Sequence, residues 1–324
     1  MKIEGGMLHL SSEKAAKVVV VGSANIDLFF KTETLPLPGE TIAASDAKRS
    51  FGGKGANQAV TVAKIGGGAV MVCRVGMDES RNELLENFNR FGVDTRFVIR
   101  DPERSSGMAF VTVDKNGENT IVIYSGANGK LCPHDVEGAV DVIKSGHIVV
   151  TQLEIPLETV RRTAVIAREM NVPFILNPAP APSKSILDIL EYVDVLCPNK
   201  TEATALTGLS VDGIEGAEAA GRKILQFGVK TVVLTLGASG ALLVQEGGAE
   251  HIPSPTVTVR DTTGAGDAFV GALAYSLATG SCVTDAVKFA NVAASISVTK
   301  DGTQAGLPTR EEIETLKRKF FSDE

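Results

Sequence analysis

The sequence predicts an α/β fold, in which a mostly parallel central sheet carries helices on both faces and a smaller β-sheet forms a lid. Three observations predict it. From His147 onward, short apolar strands alternate with helical stretches, the pattern of right-handed βαβ units. The first strand, Val18-Val-Val-Val21, is apolar at every position, as expected where both faces are covered. Between these regions lie several β-like segments separated by turn residues, which suit a second, smaller sheet.

Taken in order, residues 1–16 mix charge and glycine without an apolar core and are expected to be a flexible N-terminal extension. Residues 17–324 then form one α/β domain. Val18–Val21 runs into the loop Gly22-Ser-Ala-Asn25. Segments 28–34, 41–50, 107–113 and 119–124 are expected as strands, punctuated by Pro36, Pro38, Gly39 and Asp114-Lys-Asn-Gly117, so the lid comes from about residues 28–50 and 105–125. Helices are expected over 57–65 and 81–91, the second stopped by Gly92. Further on, strands 147–150, 173–176, 193–196 and 231–236 alternate with helices 157–170, 186–192 and 217–227, and another helix follows Gly266.

Composition narrows the function. The chain has 324 residues, 44% hydrophobic and 22% charged, with 33 glycines, as in a compact soluble enzyme rich in tight turns. A net charge of −7 gives no attraction to a polyanion, so nucleic acid is not an expected partner. No apolar run of about 18 residues exists to cross a membrane. The four cysteines, Cys73, Cys132, Cys197 and Cys282, are far apart and form no CxxC pair, which fits reduced thiols and a cytoplasmic location.

The most informative segment is Asp261-Thr-Thr-Gly-Ala-Gly-Asp267, followed by the apolar helix Ala268 to Leu277. Its glycines let backbone N–H groups of Gly264, Ala265 and Gly266 converge at a helix N-terminus, where the helix dipole favours an anion such as phosphate. A carboxylate in the first helical turn beside that anion hole can take a proton from a hydroxyl attacking phosphorus. A capped turn with Asp267 merely complementing the dipole is the plainer alternative. Near the N-terminus, Phe51-Gly-Gly-Lys-Gly-Ala-Asn-Gln-Ala59 brings backbone close to a small polyhydroxyl ligand, or forms a strand-to-helix corner.

These two segments together resemble the ribokinase-type, or PfkB-type, carbohydrate kinases, and the resemblance runs from Val18 to about Pro308. It implies ATP-dependent phosphorylation of a sugar hydroxyl, by analogy O5 of D-ribose, with Asp267 as the base. It further implies a sugar site at Asn25, Ile26, Asp27, Gly53, Lys54, Gly55, Ala56, Asn57 and Glu154. ATP would be bound at Asn199, at the loop Thr235, Leu236, Gly237, Ala238, Ser239 and Gly240, and at Gly266, Asp267 and Asn291. The Asn199-Lys-Thr-Glu202 element implies that Glu202 organises Mg2+ through water and phosphate. A monovalent cation, usually K+, is implied at Asp261, Thr263, Ser297, Lys300, Gly302 and Gly306, mostly through carbonyls. A homodimer is implied by relatives whose lids pair.

Other chemistries lack their residues. There is no Gly-x-x-x-x-Gly-Lys-Ser/Thr, and the first strand does not lead into Gly-x-Gly-x-x-Gly. None of the four histidines, His9, His134, His147 and His251, pairs at metal-ligand spacing. Within the family, fructokinase, 2-keto-3-deoxygluconate kinase and nucleoside kinase are the alternatives, although no tryptophan and only three tyrosines are present to hold a base. A non-catalytic sugar or nucleotide sensor on the same fold is the alternative of a different class.

Overall fold

A computed structural model describes residues 16–182 and 185–321. The flexible extension expected over 1–16 lies outside the described residues except at Ala16. That residue is buried and accepts a backbone hydrogen bond from Gly68, so it belongs to the folded domain.

The N-terminal part holds β1 (Lys17–Val21), β2 (Asn25–Lys31), β3 (Asp46–Gly52), α1 (Lys54–Lys64), β4 (Gly68–Gly76), α2 (Glu79–Phe91), β5 (Asp94–Asp101), β6 (Gly107–Val113) and β7 (Asn119–Tyr124). Short helices α3 (Pro133–Glu137) and α4 (Val140–Lys144) lead to β8 (Ile148–Thr151), α5 (Leu157–Glu169), β9 (Phe174–Leu176), α6 (Leu187–Leu190), β10 (Val195–Leu196), α7 (Lys200–Thr207) and α8 (Gly213–Leu225). The last third contains β11 (Thr231–Thr235), β12 (Ala241–Gln245), β13 (Gly248–Ile252), α9 (Ala265–Ala278), α10 (Val283–Ser297), α11 (Thr303–Gly306) and α12 (Arg310–Phe321).

The large sheet has the order β13-β12-β11-β10-β9-β8-β1-β4-β5. It is parallel from β5 to β11, and β12 and β13 add an antiparallel hairpin at one edge. Strand β1 explains the sandwich. Successive side chains of a strand point to opposite faces, so Val18 and Val20 enter one core with Ala59, Phe269 and Ala290, while Val19 and Val21 enter the other with Val160, Ala220 and Ile224. All four valines are fully buried.

The smaller sheet has the order β3-β2-β6-β7, with β2 and β6 parallel. Two of its strands are displaced from the expected segments. The expected 28–34 strand is β2, which starts at Asn25; the expected 41–50 strand is β3, which ends at Gly52. The pairing Asn25↔Gly52 and Asp27↔Ser50 requires this register. Gly52 is needed there, because a Cβ would stand 2.0 Å from Asp27 Oδ2. Helix α1 starts three residues earlier than expected, after Gly53, whose φ of 87° is a conformation glycine tolerates. The expected helix 186–192 is reduced to the single turn α6, and the expected strand 193–196 to the two residues of β10.

Candidate active site

Asp267 occupies the first turn of α9, after Gly264 with a φ of 78°. Helix α9 packs closely on α1, because a Cβ at Gly271 would stand only 2.7 Å from the Thr61 side chain. That approach sets the amides of α1 against the carboxylate. Asn57 Nδ2 donates to Asp267 Oδ2 at 2.8 Å and Gln58 Nε2 to Oδ1 at 3.3 Å. Each carboxylate oxygen therefore has one donor and keeps acceptor capacity for a hydroxyl. The first intrahelical bond is Ala268 N–H to Gly264 O, while Ala265 N–H turns back to Thr262 O. The N–H groups of Gly264, Gly266 and Asp267 precede the helical ladder and suit an anion.

A cavity of about 240 Å³ opens above this turn, lined by Lys54, Asn177, Asn199, Glu202, Gly264 and Asp267 among others. Burial pushes the pKa of Asp267 up, with a contribution from the Glu154 charge, while Lys54, Asn57 and Gln58 pull it back. Glu202 is also raised, mainly by burial, with the Asn199 N–H and Lys54 opposing. Burial disfavours the Lys54 ammonium, yet the charges of Asp267, Glu154 and Glu202 hold its pKa above the ordinary value. Lys54 is thus the cation among three carboxylates.

Asn199 and Glu202 form a reciprocal capping box on α7: Glu202 N–H donates to Asn199 Oδ1 at 2.9 Å and Asn199 N–H to Glu202 Oε2 at 2.8 Å. The motif starts a helix and at the same time faces the cavity. A second, more apolar cavity of about 370 Å³ adjoins it through the shared residues Thr235, Thr262 and Gly266. Gly237, Ala238, Gly240, Val257, Phe269 and Asn291 are among its walls.

On the other side of Asp267, β1, β2 and the start of α1 converge. Glu154 Oε2 accepts from Ser23 Oγ at 2.5 Å and from Lys54 N–H at 3.0 Å. Asn25 is buried, and its Oδ1 accepts from Asn128 Nδ2 at 2.7 Å. Asp27 is buried with Oδ1 lacking a partner. Its pKa is pushed up to about 7 by burial first, then by the Glu154 and Asp267 charges. An orphaned, buried acceptor beside two further carboxylates fits a ligand rich in hydroxyl donors.

Residues 15–310 match the description "pfkB family carbohydrate kinase". The chain belongs to this family. It is 38% identical over 299 residues to ribokinase of Staphylococcus aureus, covering 92% of this chain and 98% of that protein. It is 37% identical over 296 residues to deoxyribokinase of Salmonella typhi, covering 91% and 97%. Among solved structures, Arabidopsis thaliana ribokinase complexed with ribose and ATP superposes with a TM-score of 0.89 at 33% identity, covering 94% of this chain and 99% of that one.

Several of the side chains that family resemblance places at the sugar or at ATP have partners or packing roles within the protein. The side chains of Ile26 and Ala56 lie in the hydrophobic core. Gly55 serves close packing, since a Cβ would stand 2.7 Å from Ser23 N. Both ends of the Asn57 amide are engaged, by Asp267 and by Gln304. Leu236 is buried in the second core, and Ser239 O meets His251 Nε2 at 2.7 Å. Ser23, Gln58, Asn128, Asn177 and Gln304 were not among the expected site residues; a buried hydroxyl or amide carries no motif of its own, and only its neighbours in space reveal it.

The residues expected to hold a monovalent cation come together. Asp261 Oδ1 accepts from Thr263 N–H at 2.9 Å and Oδ2 from Gly302 N–H at 3.0 Å. A Cβ at Gly306 would stand 3.2 Å from Ser297 O and 3.7 Å from Lys300 O. One carboxylate with several carbonyls fits a singly charged, weakly hydrated ion. The Lys300 ammonium points away, to Glu312 at 2.7 Å. Among the described residues no helix is long and apolar enough to cross a membrane, and no cluster of three or more His, Cys, Asp or Glu could hold a metal.

Proposed function

We propose that this protein transfers the γ-phosphoryl group of ATP to the primary hydroxyl, O5, of D-ribose, giving D-ribose 5-phosphate and ADP. The observation that carries the reading is the buried Asp267 at a glycine-rich helix N-terminus, with acceptor capacity left on both oxygens, between a polar cavity and the orphaned carboxylate of Asp27.

The sugar lies between Asn25, Asp27, Glu154 and the start of α1, with its acceptor hydroxyl toward Asp267. Asp267 takes the hydroxyl proton as the oxygen attacks phosphorus, and the elevated pKa that burial gives it strengthens it as a base. Backbone N–H groups of Gly264, Gly266 and Asp267 stabilise charge on the transferring group, and the Lys54 ammonium offsets the carboxylates around it. The nucleotide base and ribose occupy the apolar cavity by Phe269 and Asn291, and the phosphates lie toward Asn199 and Glu202. Mg2+ on the phosphates, held through water by Glu202, would supply further charge neutralisation. K+ at Asp261, Thr263, Ser297, Lys300, Gly302 and Gly306 would fix the 261–267 loop. The lid sheet closes over the sugar and excludes water. We place the protein in the cytoplasm as a homodimer.

The test is an ATP-consumption assay over ribose, 2-deoxyribose, fructose, 2-keto-3-deoxygluconate and a nucleoside. Ribose is expected to give the highest kcat/KM. 2-Deoxyribose is included because a deoxyribokinase is among the relatives; a preference for it, or for any other substrate of the panel, would replace ribose as the assignment.

A further inference from the structure

Behind Asp267 runs a chain of buried amides. Asn87 Nδ2, on α2, donates to Gln304 Oε1 at 2.7 Å. Gln304 Nε2, on α11, donates to Asn57 Oδ1 at 3.0 Å, and Asn57 Nδ2 donates to Asp267 Oδ2 at 2.8 Å. Asn57, Asn87 and Gln304 are all buried. The two ends of an amide have nearly the same shape but opposite hydrogen-bonding roles, so its neighbours decide which way it faces. An ionised carboxylate accepts only. It therefore selects the NH2 end of Asn57, which turns Oδ1 to Gln304 and requires the NH2 end of Gln304 there. Gln304 Oε1 is left to face Asn87, which supplies a donor. The chain has one self-consistent direction, pointing hydrogen-bond donation at Asp267.

Helix α11 is pinned where this needs it. The Gly302 N–H is held by Asp261 Oδ2, a Cβ at Gly264 would stand 2.7 Å from Thr303 Cγ2, and Lys64 of α1 donates to the carbonyls of Gln304 and Leu307. Gln304 thus links three elements to one oxygen of the carboxylate without lying on the catalytic helix.

We propose that Gln304 is a positioning residue for phosphoryl transfer, holding the Asn57 amide in place so that its Nδ2 donates to Asp267, with Asn87 holding Gln304 from behind. This rests on Asp267 being the base. Without Gln304, Asn57 Oδ1 loses its buried donor and the amide is no longer held in line with Asp267 Oδ2, which weakens that hydrogen bond, misaims the carboxylate and favours its protonated form. The charged groups that face Asp267 are Lys54 on α1, Glu154 after β8, Glu202 on α7 and Asp27 on β2. Replacing the neutral Gln304 leaves all four in place, so a moved acid limb reports on the amide chain.

The experiment measures kcat, both KM values and the pH profile of kcat for Gln304→Leu and Asn87→Leu in the full chain, with Asp267→Asn beside them. Gln304→Leu is expected to lower kcat about tenfold, with KM for ATP within about twofold, and to move the acid limb upward by about half a pH unit. Asn87→Leu should shift the limb less in the same direction. The double variant should shift it no further than Gln304→Leu, because both act through one chain. A folded Gln304→Leu enzyme with kcat within about twofold and an unmoved limb overturns the proposal. A loss confined to KM for ATP does so as well. If Gln304→Leu does not fold, Asn87→Leu decides by the same limb. Turnover retained in Asp267→Asn removes the base itself and the relay with it; an inactive Asp267→Asn beside unaffected Gln304 and Asn87 variants removes the relay alone.

Discussion

As the proposed base, Asp267 has to bind protons more strongly than a surface carboxylate while remaining ionised, and burial raises its pKa while Lys54, Asn57 and Gln58 oppose that rise. Asp267→Asn keeps the shape and removes the base. We expect a fall in kcat of at least about a hundredfold with the fold intact, and a folded variant retaining more than a tenth of wild-type turnover would show that another group takes the proton. Asp27 has a different problem. Its pKa of about 7 means that the folded protein holds a proton that the unfolded chain releases near pH 4. This carboxyl therefore favours the folded state at low pH, and that contribution is lost as pH rises from about 4 through 7. Asp27→Asn should be more stable than wild type at pH 8, and the gain should shrink by about 2 kcal/mol by pH 5, measured by denaturant unfolding. The same variant loses a charged acceptor for sugar hydroxyls, so kcat/KM for ribose should fall about 10- to 150-fold while affinity for an ATP analogue stays level. Stability that does not depend on pH, or nucleotide affinity that collapses, would take Asp27 out of the sugar site.

At the scale of elements, three connections decide the site: the turn into α1, the 261–267 loop and the short α11. Asp261 ties the last two together through the Thr263 and Gly302 N–H groups. If a monovalent ion adds its charge to that tie, replacing Na+ or a bulky organic cation by K+ at matched ionic strength should raise kcat/KM, and equal values in all three salts would remove the cation from Asp261, Thr263 and Ser297. The turn into α9 was legible in the chain because the glycines of the Asp261 to Asp267 segment lead directly into an apolar helical run. The alternation after His147 was legible because βαβ units write their period locally. Strand register in the lid was not: that Asn25 and Asp27 lie on β2, rather than in a loop, follows from the pairing Asn25↔Gly52 and Asn25↔Gly107, which joins residues remote in sequence. The same holds for Gln304. It stands in a Thr-Lys-Asp-Gly-Thr-Gln stretch that reads as a turn, and only the packing of α11 against α1 and α2 gives it a role.

The whole molecule is built on two sheets, and the proposed sugar site draws on both. Asn25 and Asp27 come from β2 of the small sheet, while Asp267 and the cavities proposed for the nucleotide belong to the layers of the large one. Anything that steadies the small sheet should therefore act on the sugar before it acts on ATP. The small sheet ends in β7, an edge strand whose six residues are all exposed. Ile121, Val122, Ile123 and Tyr124 are 55%, 65%, 47% and 41% exposed, and Phe110 of the adjacent β6 is 39% exposed. An apolar edge of this kind is costly to leave in water and prone to unwanted pairing, and in the proposed homodimer a second copy of the chain would cover it in a closed, symmetric way. We expect wild-type protein to sediment at twice the mass of one chain at about 50 µM, and Val122→Glu, which places a charge on the most exposed of these side chains, to sediment as a single chain. The monomeric variant should show a severalfold higher KM for ribose with KM for ATP nearly unchanged, because β7 reaches Asn25 and Asp27 through β6 and β2 but has no such route to the cavity at Phe269. Wild-type protein that sediments as one chain would put the apolar face of β7 to another use. A dimer that Val122→Glu leaves intact would place the contact elsewhere on the molecule.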